Sequence, residues 1–366
     1  MKIYPQPHQY LLSIDNYVPG KSKISNQNSQ KIIKLSSNEN ALGSSKSALK
    51  GYIEHQADIS RYADGGCSKL REKIAQKNHI ESARIVCGAG SDELIYLITS
   101  AFAKNDDEII YSQYGFLMYP ISAQRVGAKA VKVREKNLKT DIDEIVKNIT
   151  NKTKIIFIAN PNNPTGSYLN KTEIYNLIDN VPSNVLIVLD HAYEEFVEVD
   201  DYYDAIEIVN KYPNVVVTRT FSKIYGLASL RIGWSYSSLE IADILNKVRG
   251  PFNVAGPAQI AALYSLDDDE FFVKSKTHNS KWLKIFNQQL GSQKNLKLYP
   301  AIANFILMDF FNENNCQKIN QQLLENNIIV RDMKAYGLPS CLRVTIGNEE
   351  ENQIFLNNLM KFANES

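Results

Sequence analysis

Short runs rich in β-branched residues recur through the middle of the chain at Arg84–Cys87, Glu108–Tyr111, Lys154–Ala159, Val185–Leu189, Val215–Thr218 and Arg231–Ser235. Amphipathic stretches separate them. In Asp92–Lys104, for example, Leu94, Ile95, Leu97, Ile98, Ala101 and Phe102 keep the three-to-four spacing that gives a helix one apolar face. Alternation of this kind predicts an α/β fold built on a mainly parallel sheet with helices packed on it.

Near Pro257 the pattern changes. A long polar helix over Asp268–Gln289 leads to a strand at Phe305–Phe310, a helix near Gln317–Asn326 and two further strands. This predicts a second, smaller α/β domain. Pro19-Gly20 and the polar run Lys21–Lys31 suit an extended arm. The expected organisation is an N-terminal arm over 1–40 that joins the small domain, a large domain over 41–255 and a small C-terminal domain over 256–366.

A net charge of +1 leaves no electrostatic footprint for a nucleic acid. The basic runs Lys21–Lys34 and Lys129–Lys139 lack interleaved aromatics and read as solvated faces. No apolar signal core opens the chain and no stretch has the length of a membrane span, so a cytoplasmic protein is expected. Cys67, Cys87, Cys316 and Cys341 form no C-x-x-C pair, and the five histidines are dispersed. Neither a redox dithiol nor a metal site is expected.

Lys223 stands among small and apolar neighbours in Phe221-Ser222-Lys223-Ile224-Tyr225-Gly226, where loss of solvent could turn its ammonium into a nucleophilic amine. Gly88-Ala89-Gly90-Ser91-Asp92-Glu93 follows a strand and opens a helix, so free N–H groups and a positive helix end converge as in a phosphate cup. A plain glycine turn capped by Ser91 or Asp92 is the other reading. Glu93 occupies the third glycine position of a dinucleotide motif, which favours a single phosphate. Pro161–Gly166 is a rigid polar turn directly after a strand, at the edge where open α/β sheets hold ligands. Asp190 ends another strand, where a buried carboxylate needs a cationic partner or merely caps a turn. A protonated pyridine nitrogen is such a partner, and Tyr193 then stands where a phenol could meet a ring oxygen. Together these features match what pyridoxal phosphate requires.

From Leu35 to Gly347 the sequence resembles the fold-type-I pyridoxal-phosphate aminotransferases, and among them the histidinol-phosphate aminotransferase family. The resemblance implies that Lys223 bonds covalently to pyridoxal 5'-phosphate, with Ser222, Arg231 and the backbone of Ser91, Ala89 or Asp92 holding the phosphate. It implies further that Asn163 and Tyr193 bind the ring oxygen, that Asp190 binds the ring nitrogen, and that Phe116 stacks on the ring, with Tyr114 as the second candidate. Lys223, Asp190 and Tyr193 form the catalytic set. Arg61-Tyr62-Ala63-Asp64-Gly65 resembles the family segment whose tyrosine reaches the neighbouring subunit's cofactor phosphate, which implies a homodimer with shared sites. Ala63 replaces the usual proline there, and Ala41 replaces one after Asn38-Glu39-Asn40.

In the strand Cys341–Ile346, alternation puts Arg343 opposite Leu342, Val344 and Ile346. By resemblance Arg343 binds the substrate carboxylate and Arg331 a distal anion, with Tyr17 and Asn38 also at the substrate. His191 stands where the family commonly has glutamate and is not assigned a catalytic role. The implied reaction transfers the amino group of L-histidinol phosphate to 2-oxoglutarate, giving imidazole acetol phosphate and glutamate in histidine biosynthesis. An aromatic amino acid as donor is the near alternative. Lyase or decarboxylase chemistry on the same scaffold is a further one, and a non-catalytic phosphate-metabolite binding protein is the remote one.

Overall fold

The computed structural model describes residues 5–14 and 31–364, the last three by backbone alone. The expected substrate residue Tyr17 lies outside the described residues. The large sheet is built from β1 (Ile85–Gly88), β2 (Glu108–Ser112), β3 (Lys129–Val133), β4 (Thr153–Ala159), β5 (Leu186–Asp190), β6 (Val215–Thr220) and β7 (Gly233–Tyr236). Its spatial order is β1-β7-β6-β5-β4-β2-β3. Along β4, Ile156 and Ile158 enter one apolar cluster while Ile155 and Phe157 enter another on the opposite face. Period-two alternation over two covered faces explains the continuous apolar run. Each such side chain contributes roughly 1.5–3 kcal/mol.

Two details differ from expectation. The last strand begins at Gly233 rather than Arg231 and is antiparallel to both neighbours, β1 and β6. The connection from β6 contains only one short turn of helix, Ala228–Leu230, so it cannot carry the chain back over the sheet as a parallel crossover does. Lys129–Val133, within a run read as a solvated face, forms the edge strand of the sheet. Its Lys129 and Lys132 are exposed while Val133 is buried, and lysines on an edge discourage pairing with another chain.

The smaller sheet is antiparallel and comprises β8 (Lys297–Tyr299), β9 (Phe305–Asp309), β10 (Arg331–Asp332) and β11 (Cys341–Thr345), in the order β8-β9-β11-β10. Ile33 and Leu35 of the arm are buried in its core, and the short strand Ile33–Lys34 pairs in parallel with Ile328–Ile329. The expected boundary at 255/256 would assign α3 (Gly256–Ser265) to the small unit. Its Ala258, Ala261 and Ala262 are instead buried in the large cluster. We propose that the division falls later, within α4 (Asp269–Leu290), where Phe272 packs on the large core and Trp282, Phe286 and Leu290 on the small one. No helix among the described residues is long and apolar enough to cross a membrane.

Glu135 lies where the two units meet. Its Oε1 accepts the Tyr114 N–H at 3.0 Å, and the Tyr114 ring packs on the cluster of Met333, Tyr336 and Leu338. The other oxygen, Oε2, is shut off from solvent with no hydrogen-bond partner. Burial pushes the carboxyl up to about 7. In the unfolded chain the group titrates near an ordinary glutamate, about 4.3. The native state therefore binds the proton more tightly, and stability is lost as pH rises from there through 7. Glu135→Gln should raise the melting temperature at pH 8 and leave it nearly unchanged at pH 4, with a gain of at most about 4 kcal/mol. Melting curves of both proteins across that range decide it, and equal effects at the two pH values would exclude titration of Glu135 as the cause.

Candidate active site

The parallel strands β1, β4, β5 and β6 all end at one edge of the sheet, and the antiparallel β7 starts there. A cavity of about 280 Å³ opens at this edge, with Lys223, Asp190, Asn163, Phe116, Ser91 and Arg231 among its walls. A larger hollow of about 630 Å³ lies between Lys136–Asp143, Thr165–Tyr168 and Tyr299–Ile302. It contains none of the expected site residues, so the chemistry belongs to the smaller space.

One end of the cavity suits a phosphate. After Gly90 the helix α1 (Ser91–Phe102) begins, and its first N–H groups have no partner within the helix. Ser222 Oγ accepts from Arg231 Nη1 at 3.3 Å, and Arg231 Nη2 meets Asp92 Oδ1 at 2.6 Å. The Asp92 carboxylate thus orients the guanidinium, and only the Asp92 backbone is suited to an anion. Of the expected donors, the Ala89 N–H is given to Glu93 Oε2 at 2.5 Å. Gly90 has φ +89°, and a Cβ there would run into Arg231 Nη2 and Asp92 Oδ1. Gly90→Ala should therefore weaken binding of pyridoxal phosphate to the apoprotein about tenfold or more, through both backbone strain and a displaced guanidinium. Equilibrium titration measures this, and unchanged affinity would dismiss the cradle.

At the other end stands Asp190, buried at the end of β5. Tyr119 Oη donates to its Oδ2 at 2.8 Å and Thr218 Oγ1 to its Oδ1 at 3.3 Å. Burial raises the Asp190 pKa against the opposing pull of these donors and of His191. Behind it, His191 is fully buried, its Nδ1 2.8 Å from Glu194 Oε2 and its Nε2 2.8 Å from the Tyr203 hydroxyl. Burial pushes Glu194 up, but Arg219 and His191 outweigh it and hold the carboxyl at about 2. His191 is thus part of a charged lattice beneath the site and is absent from the cavity wall.

Between the two ends lies Lys223. Burial, and then the nearby Arg343 guanidinium, lower its ammonium to about 8, so an appreciable share is neutral amine at physiological pH. Its Nζ lies 5.7 Å from the centre of the Tyr193 ring. Gly226, with φ +68°, lets the lysine loop approach the Gly43 carbonyl, which a Cβ would strike. Asn38 Nδ2 donates to Tyr193 Oη at 2.9 Å, and Thr345 Oγ1 donates to Asn38 Oδ1 at 3.1 Å. Asn38 is therefore brought to Tyr193.

Arg343 Nη1 bonds Asn163 Oδ1, and Nη2 donates to the Ser36 carbonyl at 2.9 Å. Arg331 pairs directly with Arg343 in the β10–β11 register. Opposed residues of an antiparallel pair share a face, so the two guanidinium groups belong to one side of the small sheet. Phe116 lines the cavity and Tyr114 does not. Tyr62 lies elsewhere, 85% exposed and stacked on Phe252 with ring centres 4.5 Å apart. Sequence reasoning missed Tyr119 as a site residue. An aromatic three places before Ser-Ala in an apolar stretch carries no signal for a bond made 71 residues away.

The residues fit pyridoxal phosphate. Asp190 is a buried carboxylate whose bonded side chains are both neutral hydroxyls, which leaves its charge for a cationic ring nitrogen. An amine, an anion cradle and an aromatic wall complete the set.

Comparison with known proteins agrees. A family model described as aminotransferase class I and II matches residues 30–359. The chain is 43% identical to the histidinol-phosphate aminotransferase of Paramagnetospirillum magneticum, over 98% of this chain and 99% of that one. It is 42% identical to that of Rhodospirillum rubrum, over 98% and 97%. The crystal structure of the histidinol-phosphate aminotransferase from Sinorhizobium meliloti in complex with pyridoxal-5'-phosphate superposes with a TM-score of 0.90 at 22% identity, covering 99% of each chain.

Proposed function

The chain belongs to the class I and II aminotransferases and, within them, to the histidinol-phosphate aminotransferases, and from this membership we propose that it moves the amino group of L-histidinol phosphate to 2-oxoglutarate. The products are imidazole acetol phosphate and glutamate. The observation that carries the reading is the placement of Lys223, Asp190 and Arg231 around one cavity.

Pyridoxal 5'-phosphate is the cofactor, and when bound it supplies an electron sink for the pair released at the substrate's α-carbon. Ser222, Arg231 and the first N–H groups of α1 hold its phosphate. Asp190 keeps a negative charge at its ring nitrogen, and Tyr193 and Asn163 hold its ring oxygen. Lys223 Nζ, of which burial and Arg343 hold an appreciable share as neutral amine, takes and returns the proton that transamination moves. Arg343, buried beside Asn163, orients the substrate's anionic end, and Arg331 on the same sheet face offers a second fork for a phosphate. The enzyme acts as a homodimer with shared sites. Tyr62 reaches the partner's phosphate, and the exposed apolar side chains Leu49, Tyr52, Ile53 and Ile59, with Phe252 stacked on Tyr62, support a covered face.

The test is a half-reaction. Cofactor-loaded enzyme is mixed with histidinol phosphate, phenylalanine or tyrosine without any acceptor, and conversion to pyridoxamine phosphate is followed by absorbance. Selective conversion by histidinol phosphate is expected. Preference for the aromatic amino acids would transfer the enzyme to aromatic metabolism, and no conversion by any of them would refute transamination.

A further inference from the structure

Tyr119 belongs to α2 (Met118–Arg125), which no motif of the site includes. Its ring is 1% exposed, stacked on Phe157 of β4 with centres 4.7 Å apart and planes within 2°. It meets Phe116 edge-on, at 5.9 Å and 89°. From this wedge its hydroxyl reaches Asp190 Oδ2 at 2.8 Å, the shorter of the two hydroxyl bonds to that carboxylate. Burial and the adjacent Asp190 charge both drive the phenol pKa well up, so the hydroxyl stays protonated and acts as a donor.

We infer that Tyr119 is a positioning residue for the cofactor's ring nitrogen: its hydroxyl fixes the orientation of Asp190 and stabilises that carboxylate's charge, while its ring braces Phe116. The inference rests on the reading that Asp190 faces the ring nitrogen. A buried carboxylate is costly to ionise, and a charge-assisted bond from a rigid phenol offsets part of that cost. The Ala192 N–H also donates to this carboxylate, and with Oδ2 engaged by Tyr119, Oδ1, whose side-chain bond from Thr218 is the longer one, is the oxygen assigned to a ring N–H. The stack on Phe157 keeps the phenol in place before any ligand arrives, so the arrangement is preorganised.

The experiment uses Tyr119→Phe, which keeps the stack and removes one oxygen. Apoprotein is titrated with pyridoxal phosphate and with its 1-deaza analogue, in which CH replaces the ring nitrogen. Tyr119→Phe should weaken pyridoxal phosphate roughly tenfold and leave the analogue's affinity unchanged. Holoenzyme loaded with ring-15N-labelled cofactor should show the nitrogen resonance moved from the pyridinium toward the neutral pyridine position. Equal weakening of both ligands, or an unmoved resonance, would show a merely structural tyrosine and overturn the inference. Asp190→Asn is the control. If it discriminates between the two ligands while Tyr119→Phe does not, only the role of Tyr119 falls. If Asp190→Asn fails to discriminate, the placement of the ring nitrogen at Asp190 falls, and the inference with it. Should Tyr119→Phe fold poorly, Tyr119→Phe in the Asp190→Asn background must add no further discrimination.

Discussion

Lys223→Ala is expected to slow transamination by at least about 10⁴-fold, the largest loss any single substitution here should cause, because two functions leave together. One is the covalent bond that presents the cofactor to the incoming amine in an activated form. The other is the proton shuttle at the α-carbon. The cavity offers no replacement, since the Tyr193 hydroxyl is engaged by Asn38 and the other cation of the wall, Arg231, is a guanidinium that cannot release a proton near neutral pH. Cofactor should still bind, held by the phosphate cradle and Asp190, but sodium borohydride should no longer fix it to the protein. Single-turnover kinetics and mass spectrometry after reduction check both halves. Turnover within tenfold of the unaltered enzyme would end the assignment.

Asp190→Asn is expected to cost about 10²–10³ in turnover, comparable to loss of one electrostatic stabiliser in a water-poor site. The substitution keeps size and the Thr218 bond while deleting the charge. The buried position matters, since a carboxylate in water would be worth far less. KM for the amino donor should change little, because Arg343 and Arg331 are untouched, so the loss should fall on kcat. A pattern in which KM rises and kcat is preserved would place Asp190 in substrate binding instead.

The sheet and its carboxyl-edge site were legible because buried parallel strands leave apolar runs and because phosphate cups and strand-end carboxylates stand beside them in sequence. Lys223, Asp190, Asn163, Ser222 and Arg231 all line one cavity. Features set by partners distant in sequence were not legible. The edge strand Lys129–Val133 shows charge because only part of it is buried, so its composition mimics a surface. The reversal of β7 is dictated by a connection too short for a crossover. The bond from the Ala89 N–H to the Glu93 carboxylate, which turns back onto it, was equally hidden. Tyr119 and the lattice of His191, Glu194 and Arg219 gain meaning only where α2 and β6 are brought against β5.

The helix α4 runs for 22 residues, about 33 Å, and its apolar side chains belong to both cores. Asn40 Nδ2 donates to the Ile224 carbonyl at 2.6 Å and to Ser275 Oγ of α4 at 3.1 Å. The backbone beside Lys223 is thus moored to a beam shared by both halves of the molecule. Melting either half would strip one end of that beam of its packing, so loss of the site and collapse of the protein should be a single cooperative event.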